Sequence, residues 1–181
     1  MGKYEEALLE ILSRIADKIP EGHKEYPVKA YIAGGVAVYL YTQARVSDDI
    51  DMHIYNKIED FPQDLYITWN DNGEERKLAY DYTYHEGFGL KHEDFDKRLN
   101  HYKTIDNKFE IYLLHPLDLI ISKIARFEEN DEADIKELIA KCDVDKDQLY
   151  NLADDAIKVA FGLKEKDMRQ HLEWTMEFFE D

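Results

Sequence analysis

The sequence predicts an α+β (α/β) fold, a small mixed β-sheet flanked by helices with a helical region toward the C-terminal end. Three observations predict it. Short apolar or alternating runs, bounded by Gly, Asn, Asp and Pro, recur between residues 28 and 114, which is the pattern of strands and hairpins. A glycine pair, Gly34-Gly35, joins an apolar strand to a helical run from Val36 to Gln43. From Pro116 onward the apolar residues recur at helical spacing. The expected organisation is therefore an α/β core over residues 1–115 and a helical region over 116–181, packed on the core as one compact unit.

Composition sets the outer limits. A chain of 181 residues with 44% hydrophobic content can bury a sizeable core. A net charge of −17 argues against broad nucleic-acid binding, which leaves a basic footprint. It leaves room for a small basic pocket or for a nucleotide held through a divalent cation. The single cysteine, Cys142, cannot form an internal disulfide, which fits a reducing cytoplasm. Residues 1–20 carry charges throughout and no apolar signal core. No apolar run is long enough to span a bilayer, so the expected location is cytoplasmic, with no membrane contact.

Residues 4 to 19 read as an amphipathic helix, with Ala7, Leu8, Ile11, Leu12, Ile15 and Ile19 on one face. Pro20, Gly22 and Pro27 end it. The stretch from residue 31 to 54 carries the chemistry. A strand ends at Ala33, Gly34 and Gly35 turn without a β-carbon to block a close-approaching ligand, and a helix follows. Helix N-termini offer free N–H groups to phosphate. Arg45 and Ser47 then lead into a second strand with Asp49-Ile50-Asp51. Residues two apart on a strand share a face, so Asp49 and Asp51 project together while Ile50 and Met52 turn to the core. Two carboxylates side by side repel unless a cation lies between them, and hard oxygen ligands suit Mg²⁺.

Residues 56–62 read as a loop with a short helical turn, and 65–69 as a strand. Asn70-Asp71-Asn72-Gly73 predicts a hairpin turn. The partner strand is expected over 76–84, where tyrosines alternate with Lys77, Ala79, Asp81 and Thr83. An aspartate inside a strand needs a reason, which singles out Asp81. Residues 85–100 contain Gly87, Gly89, His85, His92 and Glu93 without metal-ligand spacing; a loop and a short helix over 93–99 are expected. A hairpin around Asp106-Asn107 follows, with Glu110 on its second strand.

Pro116 suits a first helical turn, and the helix from Leu117 to Phe127 is apolar almost all round, which predicts burial. Lys123 on that surface must snorkel, serve a site, or pair with a carboxylate such as Asp134 of the next helix. Two further helices are expected over 146–160 and 165–179.

The ordered set of Gly34, Gly35, Arg45, Ser47, Asp49 and Asp51 resembles the signature of the DNA polymerase β-type nucleotidyltransferase superfamily. The Arg45-x-Ser47-x-Asp49 lead-in looks like its minimal and AbiEii-like bacterial branches. Residues 115–139 are similar to a pattern of the AbiEii-like proteins, matched here by Pro116, Asp118, Leu119, Lys123, Arg126, Asp131, Asp134 and Ile135.

The resemblance implies transfer of a nucleoside monophosphate from an NTP to an acceptor, which could be a protein, an RNA or a small molecule. It implies Mg²⁺ or Mn²⁺ held by Asp49 and Asp51, with Asp81 as a third carboxylate and Glu110 as its rival. Gly34, Gly35 and Ser47 would contact the triphosphate, and Lys123 and Arg45 would offset its charge. Two alternatives remain open: a catalytically degenerate module that binds a nucleotide or a protein, and a toxin–antitoxin component with a cognate protein partner.

Overall fold

The computed structural model describes residues 2–85, 89–162 and 164–180. The chain forms a mixed α/β fold, with two small mixed sheets, six α-helices and a C-terminal helical region among the described residues. It divides into two compact units: Met1–Val36, Arg45–Glu86 and Asn100–Leu113 form the first, and Ala37–Ala44, Gly87–Leu99 and Leu114–Asp181 the second.

In the first unit, helix α1 (Lys3–Ala16) buries Leu8, Ile11, Leu12 and Ile15 completely. Each such side chain contributes at most about 1.5–3 kcal/mol of burial. The helix ends at Ala16, its last carbonyls taken by the Lys18 and Ile19 N–H groups, and Pro20 cannot continue it. Strand β1 (Val28–Ile32) lies between β3 (Met52–Ile54) and β7 (Phe109–Leu113), and β6 (Asn100–Ile105) completes the order β3-β1-β7-β6. β1 runs antiparallel to β3 and parallel to β7. The second sheet has the order β2-β5-β4, from β2 (Asp49–Ile50), β5 (Glu74–Tyr80) and β4 (Tyr66–Asp71). α1 packs on β4 and β5, with Tyr4 edge-on to Trp69 at 6.0 Å.

Both expected hairpins form. Asn72 and Gly73 take φ of +52° and +93°, and the Asn70 side chain accepts a hydrogen bond from the Gly73 N–H at 2.9 Å. Asp106 and Asn107 take φ of +51° and +57°. Two consecutive left-handed residues match the twist of the flanking strands.

The second unit gathers around α3 (Pro116–Ile124), which contacts α4 (Glu129–Lys141), α5 (Lys146–Val159) and α6 (Glu165–Glu177). Leu119, Ile120, Ile121 and Ile124 are all fully buried, as the all-round apolar pattern requires. The His115 side chain caps α3 by accepting from the Leu117 N–H. Glu128 and Asp131 form a capping box at α4.

Three expected elements differ. The strand placed over 76–84 ends at Tyr80, because the Asp81 carboxylate accepts from the Thr83 N–H and hydroxyl and turns the chain. The helix placed over 93–99 is a single 3₁₀ turn, Phe95–Arg98, with only Phe95 buried and therefore no apolar face to extend. The loop over 56–62 holds no helical turn. Gly87 of the Gly-x-Gly pair lies outside the described residues.

Candidate active site

The Asp49-Ile50-Asp51 run is divided between two sheets. Asp49 and Ile50 form β2, beside β5; Asp51 is the switch residue; Met52 begins β3, beside β1. The expected alternation holds through the switch. Ile50 and Met52 are buried, Asp49 is exposed and Asp51 half-buried. The Asp51 carbonyl accepts from the Ala33 N–H at 2.8 Å, which ties the switch to the end of β1 just before the glycine pair.

Helix α2 (Gly34–Thr42) begins at that pair. Gly34 has φ of +57°, and a β-carbon there would collide with Asp51 Oδ2. A β-carbon on Gly35 would lie 2.8 Å from both Cβ and Oγ of Ser47 and 3.7 Å from a terminal guanidinium nitrogen of Arg45. The glycines thus make room for Asp51, Ser47 and Arg45, which the sequence analysis grouped only by order along the chain. α1 holds Ser47 in turn: the Tyr4 hydroxyl donates to the Ser47 carbonyl at 3.0 Å and lies 3.3 Å from its N–H.

The register that pairs Ile50 with Tyr80 brings Asp81 level with Asp51, and the Asp81 N–H donates to the Ile50 carbonyl at 3.2 Å. The Asp81 carboxylate itself accepts from Thr83, at 2.8 Å from the N–H and 2.7 Å from the hydroxyl. Glu110 pairs in register with Lys29, four residues before the Ala33 level of the site, or about 13 Å along the strand. Its carboxylate accepts from the Tyr112 hydroxyl at 2.9 Å.

Asp49 borders an open polar cleft of about 330 Å³ with Asp48, Glu75, Arg76, Lys77 and Ala79. Sequence reasoning missed the two cations of this cleft. Arg76 bonds Glu74 at 3.0 Å, and the Lys77 ammonium lies 4.8 Å from the Tyr66 ring centre. The alternation of β5 was the available signal, since it puts Lys77 and Ala79 on one face.

Asp49 and Asp51 are hard oxygen donors on either side of Ile50, and Asp51 lies against Gly34 at the start of α2. Two carboxylates with the remaining positions left to substrate phosphate and water are what Mg²⁺ takes. Among the described residues, no group of three or more His, Cys, Asp or Glu is gathered as a metal site. Asp49 and Asp51 are oxygen donors of the kind that ion takes, and the Asp81 carboxylate is engaged by Thr83.

In the second unit, Lys123 forms the ion pair with Asp134 that its position suggested, at 2.7 Å, and a second with Asp131 at 3.1 Å. All three are buried. Arg126, itself exposed, reaches back to Asp131 at 2.8 Å. Burial raises the Asp131 pKa, but hydrogen bonds from Arg126, the Glu128 N–H and Lys123, with the Lys123 charge, bring it below the usual carboxylate range. Asp118, fully buried, receives two hydrogen bonds from Arg98, at 2.8 and 2.6 Å. His92 Nδ1 accepts from the Asp94 N–H at 3.0 Å, a local turn contact.

A strand, a glycine pair opening a helix, and the two carboxylates that follow are the elements expected of a nucleotidyltransferase. Residues 6–181 match the family model described as nucleotidyltransferase of unknown function (DUF6036), and the chain belongs to that family. No curated protein matches it. No helix among the described residues is long and apolar enough to cross a membrane.

Proposed function

We propose that the protein transfers a nucleoside monophosphate from an NTP to an acceptor hydroxyl or phosphate. The observation that carries this reading is the fit of Gly34 and Gly35 around Asp51, Ser47 and Arg45. Asp49 and Asp51 would hold one or two Mg²⁺ ions, which when bound stabilise the attacking and leaving oxygens of an in-line displacement. The N–H groups opening α2 and the Ser47 hydroxyl bind and orient the triphosphate. Arg45 offsets its charge. Asp81, level with Asp51, takes the acceptor proton once its carboxylate leaves Thr83. Lys123 is assigned to joining α3 and α4, because two buried carboxylates already occupy its ammonium.

Thermal melting with each NTP, with and without Mg²⁺, tests the binding half of this reading. Ligand at a hundred times its dissociation constant adds about 2.7 kcal/mol. A Mg²⁺-dependent shift that is lost in Asp49→Asn/Asp51→Asn is expected, together with pyrophosphate release. Unchanged transfer in Asp51→Asn would overturn the assignment.

The Thr83 contacts of Asp81 favour a second reading, a module that binds the nucleotide without transferring it. Tight NTP binding with no pyrophosphate release for any acceptor would support it. The resemblance of residues 115–139 to AbiEii-like proteins supports a cognate toxin or antitoxin partner, which a small neighbouring gene would reveal.

A further inference from the structure

The Asp81 carboxylate receives two hydrogen bonds from one residue. Its Oδ1 accepts from the Thr83 N–H at 2.8 Å and from the Thr83 hydroxyl at 2.7 Å. The turn needs only the first, since an aspartate oxygen on the N–H two residues on closes it. The second holds an alkyl hydroxyl within the reach a general base needs of the proton it takes, about 2.6–3.2 Å. Asp81 is half-buried, and Thr83 is exposed to an incoming ligand. The register sets this pair next to the strand that carries the candidate site. Ala79 and Tyr80 pair with Asp49 and Ile50, and the Asp81 N–H donates to the Ile50 carbonyl at 3.2 Å. Adjacent strands lie about 4.8 Å apart, so Asp81 stands one strand spacing from Asp51. The Tyr112 hydroxyl also donates to a carboxylate, that of Glu110, at 2.9 Å. That carboxylate lies level with Lys29, away from Asp51. A hydroxyl held on a base one strand from Asp51 is what an acceptor of nucleotidyl transfer must present.

We propose that the protein transfers a nucleoside monophosphate to its own Thr83. The inference rests on the nucleotidyl-transfer reading above and names an acceptor for it. Thr83 Oγ1 forms a bond to the α-phosphorus of the NTP. The bond from that phosphorus to the oxygen bridging to the β-phosphate breaks, and pyrophosphate leaves. The hydroxyl proton passes to Asp81 Oδ1 along the hydrogen bond already made, and the product is a threonine phosphodiester. For this acceptor the Asp81 carboxylate does not have to leave Thr83 first. Acceptor and base are two residues apart on one turn, so the transfer runs within a single chain and stops once its hydroxyl is used.

The test takes the full chain, as purified and after incubation with Mg²⁺ and ATP, GTP, CTP or UTP, with no other acceptor added. Intact mass, peptide mapping and pyrophosphate release are read beside the melting shift given by Mg²⁺ and the NTP. With at least one NTP, wild type is expected to carry a single nucleoside monophosphate, on Thr83, and to release pyrophosphate in equal amount. The rate per chain should not change with protein concentration. Thr83→Val keeps the backbone N–H on Asp81 and removes only the hydroxyl. It should melt as wild type does, keep the ligand-dependent shift and lose most of the added mass, and Thr83→Ser should restore that mass. A Mg²⁺-dependent NTP shift with no added mass, or with the same added mass in Thr83→Val, would overturn the self-modification alone. Labelling of Thr83 at a rate per chain that rises with concentration would overturn transfer within one chain. No melting shift and no pyrophosphate with any NTP would overturn the nucleotidyl-transfer reading and the self-modification with it.

Discussion

The carboxylate of Asp51 occupies the space where a β-carbon of Gly34 would stand. Gly34 also holds φ of +57°, a conformation that costs other L-residues roughly 1–2 kcal/mol. Gly34→Ala should therefore lower stability by more than about 2 kcal/mol, since strain and collision add. Asp51→Ala in the same chain should recover part of that loss. Urea unfolding of the two single variants and the double variant measures the coupling, and additive effects would contradict this packing.

Asp81 and Glu110 make opposite predictions for transfer. Asp81 is level with Asp51, whereas Glu110 is level with Lys29. Asp81→Asn should reduce pyrophosphate release by tenfold or more with little change in NTP affinity. Glu110→Gln should leave both unchanged, because the contacts it weakens are to Tyr112 and Lys29. A single-turnover assay with the preferred NTP separates the two.

Lys123 joins two helices through buried charge. Lys123→Met should destabilise the chain by about 3–5 kcal/mol, the cost of leaving buried carboxylates short of a cation. Adding Asp134→Asn should return part of it. Denaturant midpoints decide the matter, and a Lys123→Met variant as stable as wild type would show the pair to be dispensable.

His115 gives the fold a pH dependence. Burial holds its pKa below the ordinary histidine range, against the pull of Asp118 and with the repulsion of Arg98. Its Nδ1 accepts the Leu117 N–H at 3.2 Å, so the capping ring is neutral. The unfolded chain then binds the proton more readily, at a pKa near 6.5. Stability should be complete above about pH 6.5 and fall as pH drops toward the folded value. His115→Asn keeps a capping side chain without the titration and should flatten the curve of unfolding midpoint against pH.

The helices were legible because burial imposes its period on the chain. Ile11, Leu12 and Ile15 of α1 and the all-round apolar surface of α3 declare themselves locally. The hairpin turns were legible for another local reason, since Asn72-Gly73 and Asp106-Asn107 suit left-handed backbone. The end of β5 was not. The tyrosine alternation continues past Tyr80, but Asp81 and Thr83 have already turned the chain. The division of Asp49-Ile50-Asp51 between two sheets left no mark either, because Ile50 and Met52 are buried in both cases. The partner of Asp118 is Arg98 in the preceding segment, and no local spacing points to it. At the candidate site, order along the chain proposed the residue set, and the fit of Gly34 against Asp51 and Gly35 against Ser47 emerged only in three dimensions.

The position of β1 has a kinetic consequence. It lies between β3 and β7, and its parallel register pairs residue 28 with residue 109. Such distant pairing must pay loop-closure entropy before its contacts reward it. The β6–β7 hairpin is local and can form early, but β1 stays open on one side until that hairpin docks. The end of β1 sets Gly34 and receives the Asp51 carbonyl at Ala33. The frame of the glycine cradle is therefore completed only when β7 docks, and a nascent chain that has not yet delivered β7 holds β1 paired on one side alone.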